Sequence, residues 1–307
     1  MRVLMIGAGG VGGYFGARLA AAGRDVAFIA RGQHREAMER DGLFIESPRG
    51  DLHLPSVRVH ETIAEAGPHD LVLIAVKLQD TASVIDQLRP LAGDDTIFVS
   101  LQNGVDAENM LVETFGADRV MGGVARISAA IDRPGHVRQV GRFSRIDIGE
   151  LDGSRSERLE RITELMTVDG MDFTASADIR LAIWEKFVFL ATMSAATAAA
   201  RSAIGPLLEE PASRAWIEEL IAEVASVARA GGIAIADGFE ASVLANMDGL
   251  PREMIASMAH DLNAGKPLEL DWLSGAVVRL AAAHVLDVPA HRHAVAVLAP
   301  HRTGKNA

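Results

Sequence analysis

A few short segments of this chain carry residue types that could do chemistry. Gly7, Gly9 and Gly12 stand at the spacing G-x-G-x-x-G, directly after the apolar run Val3–Ile6 and ahead of an Ala/Leu-rich stretch running to Ala22. That order predicts a buried parallel strand, a tight turn and the start of a helix. The three glycines then serve three needs, namely the turn itself, close approach of a pyrophosphate to the backbone, and close helix–strand packing. The helix start offers unpaired N–H groups and a partial positive charge to the same anion. The motif therefore predicts a dinucleotide site. The next apolar strand ends Phe28-Ile29-Ala30-Arg31-Gly32 with no acid at its tip. An acid there suits the ribose hydroxyl of NAD, whereas an arginine suits the 2′-phosphate of NADP. Arg31 thus points to NADP(H), with Arg35 one helical turn on to assist it; the alternative is a solvated loop arginine.

Two further strand ends carry polar residues. Ile74-Ala75-Val76 runs into Lys77, and Ser100-Leu101-Gln102 runs into Asn103-Gly104. Ligands of open parallel sheets sit outside the carboxyl ends of strands, so Lys77 and Asn103 would lie toward the nicotinamide side. Alone, Asn103-Gly104 is ordinary turn chemistry and Lys77 a surface lysine. Lys186 interrupts an apolar helical segment, Ile183-Trp184-Glu185-Lys186-Phe187-Val188-Phe189. Such a lysine either snorkels to solvent or is held for a purpose. His291 and His293 lie two apart, off a common helical face, and read as a solvated helix start with no metal site. Ser128 and Ser144 form no nucleophile motif, and Met247, Met254 and Met258 read as core or lining.

The elements that must position these residues change character along the chain. Up to about residue 175, strands alternate with helical patterns, as in βαβ units. Leu71–Val76 and Thr96–Leu101 are further strands, with a helix over Ala82–Leu91 between them. Leu43–Leu54 reads as a hairpin. Short strands are expected at Gly122–Ile127, His136–Val140, Ile146–Ile148 and Met171–Thr174, with a helix over Arg155–Thr167. Beyond Asp178 the pattern is helical: Ile179–Ala200, Pro211–Ala230 stopped by Gly231-Gly232, Pro251–Asn263, Glu269–His284 and Pro289–Ala299. The division expected is residues 1–175 and 176–307. There is no internal repeat. The polar tail Arg302–Ala307 is expected to be mobile.

Composition narrows the function. The 307 residues are 49% hydrophobic with a net charge of −11, which argues against nucleic acid as a partner. The absence of cysteine excludes disulfides, zinc–thiolate sites and thiol nucleophiles. No signal peptide is expected, because a strand begins at residue 2. The weakly polar stretch near Phe187–Ala200 is shorter than a membrane span. A cytoplasmic protein without a membrane partner is expected. Ala195–Ala203 suits close helix packing, within the chain or in a homodimer.

Taken together, the chain resembles the ketopantoate reductase (2-dehydropantoate 2-reductase) family over essentially its whole length. The match rests on Gly7, Gly9 and Gly12, on Arg31, on Ala75-Val76-Lys77, on Gln102-Asn103-Gly104, on Trp184-Glu185-Lys186, and on Ser257 and Glu269, twelve residues apart. The resemblance implies an α/β Rossmann-type N-terminal domain followed by an all-α C-terminal domain of the 6-phosphogluconate dehydrogenase C-terminal-like kind, with the active site in the cleft between them. It implies reduction of a 2-oxo acid, 2-dehydropantoate in the family, by NADPH with release of NADP+. Lys186 would then protonate the carbonyl oxygen as hydride arrives, and Glu269 would orient Lys186 or the substrate. Asn103 and Lys77 would hold substrate and nicotinamide, and Ser257 the substrate carboxylate. The chemistry is sound in its own right, since an ammonium both stabilises the developing oxyanion and supplies the proton.

The chain departs from the family where asparagines stand four and eight residues beyond the lysine. Here those positions are Leu190 and Ser194, and a further family asparagine falls near Ile204. Leucine can neither donate nor accept, so each unpaired ligand group would cost roughly 1–3 kcal/mol. A retained reaction on a more apolar 2-oxo acid or ketone is therefore expected, with Ser194 still available to the substrate. Two other functions compete: a related dehydrogenase of 3-hydroxy acids or imines, and a non-catalytic NADP(H)-binding sensor.

Overall fold

The computed structural model describes residues 1–304; positions 305–307 of the tail lie outside the described residues. The described residues fold into two compact units. One comprises Met1–Gln102 and Ala107–Ala182, the other Asn103–Asp106 and the residues from Ile183 on.

The first unit is built on a ten-stranded sheet. Its strands are β1 (Arg2–Ile6), β2 (Asp25–Ile29), β3 (Leu43–Glu46), β4 (Leu52–Leu54), β5 (Arg58–His60), β6 (Leu71–Ile74), β7 (Ile97–Ser100), β8 (Val120–Arg133), β9 (His136–Gly149) and β10 (Asp172–Ala175). Its helices are α1 (Gly10–Ala21), α2 (Gly32–Asp41), α3 (Ile63–Ala66), α4 (Thr81–Leu88), α5 (Ala107–Phe115) and α6 (Glu157–Met166). The strand order β5-β2-β1-β6-β7-β8 is parallel throughout. This is the doubly wound order of dinucleotide-binding folds, and its switch point lies at β1, between β2 and β6. Buried on both faces, these strands read as continuous apolar runs, such as Leu71–Ile74.

Beyond β8 the sheet departs from expectation. In place of short strands, β8 and β9 form one long antiparallel hairpin with irregularities after Ile127 and Ile131. Gly141, Arg142 and Phe143 fall outside the ladder there, where Ile127 pairs with Ser144 and Ser128 with Val140. That insertion breaks the two-residue alternation and disguises the strand. β3 and β10 pair in parallel with β9, and β4 closes the hairpin expected at Leu43–Leu54.

The second unit is helical: most of α7 (Ile179–Ala199), then α8 (Ile204–Glu209), α9 (Pro211–Ala230), α10 (Phe239–Asp248), α11 (Ser257–Asn263), α12 (Ser274–Ala283) and α13 (Pro289–Leu298). α7 is long and apolar enough, by length and composition, to cross a membrane, which corrects the sequence-based expectation; 61% of its apolar window is buried in the fold. Ala195, Ala196 and Ala198 lie in the unit's own core, so the small-residue stretch serves internal packing. The helix expected from Pro251 begins only at Ser257. The carbonyls of Arg252 and Met254 instead accept the N–H groups of Gly205 and Ile204 and so satisfy the start of α8. The expected Glu269–His284 helix is interrupted at Leu273 (φ −108°, ψ −99°), after a 3₁₀ turn at Leu270–Trp272. The described part of the tail is anchored: Leu268 N–H donates to the Arg302 carbonyl and Gly304 is buried.

Candidate active site

The glycine-rich loop joins β1 to α1 at the switch point. Gly7 has φ +93°, in the region that favours glycine, and a Cβ there would press on Val76. A Cβ at Gly12 would overlap the Gly7 carbonyl oxygen and crowd Met5 and Ala75. No atom lies within 4 Å of a Cβ built at Gly9. Gly9 caps α1 without a side-chain hydrogen bond, and the first turn holds no acid. Uncapped N–H groups beside open space fit the pyrophosphate of a dinucleotide. Gly10, outside the three-glycine motif, is equally constrained, because a Cβ there would overlap the Ala129 carbonyl on β8.

Arg31 is exposed at the N-cap of α2, whose first turn also lacks an acid. Arg35 is differently engaged: its guanidinium donates to Glu39 at 2.9 Å and lies 3.7 Å from Glu61.

At the carboxyl ends of β6 and β7, a residue to which sequence reasoning gave no role ties the backbone together. The Gln102 amide is buried and donates to the Val76 carbonyl (3.0 Å) and to Thr81 Oγ1 (2.8 Å). Its Oε1 accepts from Ser100 Oγ at 3.2 Å. Val76 precedes Lys77, which is half-buried, and Gln102 precedes Asn103. The signal for this clamp is only the motif itself, since a glutamine's partners depend on tertiary contacts.

In the helical unit, Lys186 Nζ on α7 donates to Asn103 Oδ1 at 2.9 Å. Both residues are half-buried. The 103–106 segment is tied to the same unit a second time, through Asp106 and Arg279 on α12 at 2.8 Å. Asn103 Nδ2 makes no hydrogen bond among the described residues. Lys186 and Asn103 therefore lie together at one place.

Further along α7, Leu190 is half-buried, while the Ser194 and Thr192 hydroxyls are fully buried with no hydrogen-bond partner. Thr197, also buried, was not singled out from sequence. Its hydroxyl donates to the Met193 carbonyl and accepts from the Ala256 N–H, which pins the start of α11 to α7. Ser257 is exposed at that start, and Glu269 is buried at 6% exposure just ahead of the 3₁₀ turn.

His291 overturns the solvated reading. It is fully buried, with Nε2 donating to the Leu220 carbonyl and Nδ1 accepting from Ser274 Oγ, each at 3.2 Å. Burial lowers its pKa to about 4. His293 is exposed. No group of three or more His, Asp or Glu among the described residues could hold a metal ion.

Comparison with known proteins accounts for most of the chain. The family model described as ketopantoate reductase PanE/ApbA matches residues 3–153, and its C-terminal counterpart matches residues 178–302. The chain is 31% identical over 302 residues to a 2-dehydropantoate 2-reductase of Mesorhizobium japonicum, covering 91% of each protein. It is 30% identical over 289 residues to the uncharacterized oxidoreductase YkpB of Bacillus subtilis, covering 94% of this chain and 95% of the other. Among solved structures, it resembles the crystal structure of 2-dehydropantoate 2-reductase from Geobacter metallireducens with a TM-score of 0.91 and 31% identity, over 98% of this chain and 99% of that one.

Proposed function

The chain belongs to the ketopantoate reductase family of oxidoreductases, and from that premise we propose that it reduces a 2-oxo acid to the 2-hydroxy acid with NADPH. The observation that carries the proposal is the hydrogen bond from the Lys186 ammonium to Asn103. Gly7, Gly9, Gly12 and the start of α1 would hold the pyrophosphate, Arg31 the 2′-phosphate, and Lys77 and Asn103 the nicotinamide side. When bound, the nicotinamide supplies hydride to the carbonyl carbon. Asn103 Oδ1 accepts one N–H of Lys186 and so fixes where the ammonium sits. As negative charge grows on the carbonyl oxygen, the cation stabilises it and a proton passes from Nζ to that oxygen. The neutral amine then regains a proton from water. Asn103 Nδ2 offers a second donor to the same oxygen or to the substrate carboxylate. Glu269 would orient Lys186 or the substrate, and Ser257 would offer a hydroxyl to the carboxylate.

The substrate we propose is less polar than 2-dehydropantoate. With Leu190 in place of an amide, a hydroxylated side chain would lose roughly 1–3 kcal/mol for each unpaired group. Ser194, with its hydroxyl already buried, would receive only a ligand that reaches that depth. Steady-state kinetics with NADPH and a series of 2-oxo acids test this. We expect branched apolar 2-oxo acids to exceed 2-dehydropantoate in kcat/KM. The reverse order would reject the substrate proposal but keep the reductase. Tight NADPH binding with no turnover of any carbonyl compound would favour a sensor.

A further inference from the structure

His34 stands third in α2 and has been assigned no role above. Its ring joins two pieces of the first unit. Nδ1 accepts the Gly135 N–H at 3.1 Å, which leaves the ring proton on Nε2, and Nε2–H donates to the Ala8 carbonyl at 2.9 Å. Both ends are firm. Gly135 lies in the β8–β9 turn and its carbonyl accepts from Phe44 N–H on β3. The N–H groups of Gly7 and Ala8 both donate to the Ile29 carbonyl. Burial holds the imidazole below its ordinary pKa, which favours this neutral form.

The consequence lies in the next bond of the chain. The Ala8–Gly9 peptide is trans, so its carbonyl and its N–H point in opposite directions. A carbonyl held by His34 therefore aims the Gly9 N–H the other way. That N–H has no hydrogen-bond partner among the described residues, and the space over Gly9 is open. We propose that His34 is a positioning residue for the cofactor: through the Ala8 carbonyl it orients the Gly9 N–H as a donor to the pyrophosphate of the dinucleotide. This rests on the NADPH reading above and goes beyond it by assigning a residue outside the glycine motif to pyrophosphate recognition.

The test compares two ligands, NADPH and adenosine 2′-phosphate, which carries the 2′-phosphate but no pyrophosphate. Binding is measured by titration calorimetry on the parent chain, on His34→Asn and on His34→Gln. Asparagine can accept from Gly135 but falls short of Ala8; glutamine carries its amide N–H as far as Nε2. We expect His34→Asn to weaken NADPH between about tenfold and a hundredfold, the value of one hydrogen bond to a charged group. Adenosine 2′-phosphate should bind unchanged, and His34→Gln should recover most of the NADPH affinity. Unchanged NADPH binding in His34→Asn, parallel loss of both ligands, or no recovery in His34→Gln would each overturn the proposal. Failure of the parent chain to bind NADPH would overturn the reductase reading, and this inference with it.

Discussion

The glycine loop of the first unit and the Lys186 segment of the second are built from different materials. At the start of α1 the candidate contacts are backbone N–H groups, and the loop's shape is set by where no side chain fits: Gly7, Gly10 and Gly12 are each hemmed in, while Gly9 faces open space. On α7 the candidate contacts are side chains, Lys186 with Asn103, in a helix that is otherwise mostly apolar. A backbone site resists change, because nearly every substitution must move main chain. A side-chain site can be altered one position at a time without disturbing the helix that carries it. Leu190 and Ser194, which stand where the resemblance places asparagines, would be such alterations. The cofactor half of a reductase would therefore persist while its substrate half drifts.

The sharpest way to break this comparison is to remove the ammonium. Lys186→Ala deletes the proposed proton donor and leaves the glycine loop untouched. We expect kcat to fall by roughly 10²–10⁴-fold, the range for losing a general acid. The NADPH dissociation constant, read from nucleotide fluorescence, should stay within a factor of about three. A comparable collapse in NADPH affinity would mean that the two regions do not divide the work.

Within the loop, two glycines of one motif should behave in opposite ways. Gly12→Ala forces a methyl against the Gly7 carbonyl and Ala75, so chemical denaturation should show a loss of about 1–3 kcal/mol. Gly9→Ala meets nothing in the protein and should cost less than about 1 kcal/mol, as a weaker N-cap. Its methyl would occupy the space assigned to pyrophosphate and weaken NADPH by about tenfold or more. Equal stability losses with unchanged NADPH binding would refute the division between packing glycine and ligand glycine.

The same contrast explains what was legible in the sequence. The parallel half of the sheet was readable because burial on both faces writes itself as apolar runs, and glycine spacing marks the loop. α9 was readable from Pro211 at one end and Gly231-Gly232 at the other. The β8–β9 hairpin was not, because the unpaired residues 141–143 break its alternation. Residues 251–256 misled because their carbonyls serve another helix, a debt owed to tertiary structure. Lys186, Asn103 and Glu269 are proposed through order and spacing shared with a family. Gln102, Thr197 and His34 were missed because a hydrogen-bonding side chain names its partners only once the chain has folded.

His291 separates structural from functional polarity in the helical unit, where sequence alone misjudged it. Its ring is buried, with Ser274, the Leu220 carbonyl and no carboxylate on its nitrogens. Folded, it titrates at about 4 in place of the ordinary 6.5. The unfolded chain therefore binds more protons between those values, so this group's contribution is full above pH 6.5 and is lost as pH falls toward 4. Between pH 7 and pH 5 the loss should be about 2 kcal/mol in unfolding free energy. Glu223, which accepts the Ala290 and His291 N–H groups, slopes the opposite way because burial raises its carboxyl pKa. The measure is therefore the difference between the parent chain and His291→Gln, each unfolded by urea at both pH values. The variant will be less stable overall, but its loss from pH 7 to pH 5 should be smaller by that amount. An identical pH slope in the two chains would mean that the ring takes up its proton in the folded protein as readily as in the unfolded chain.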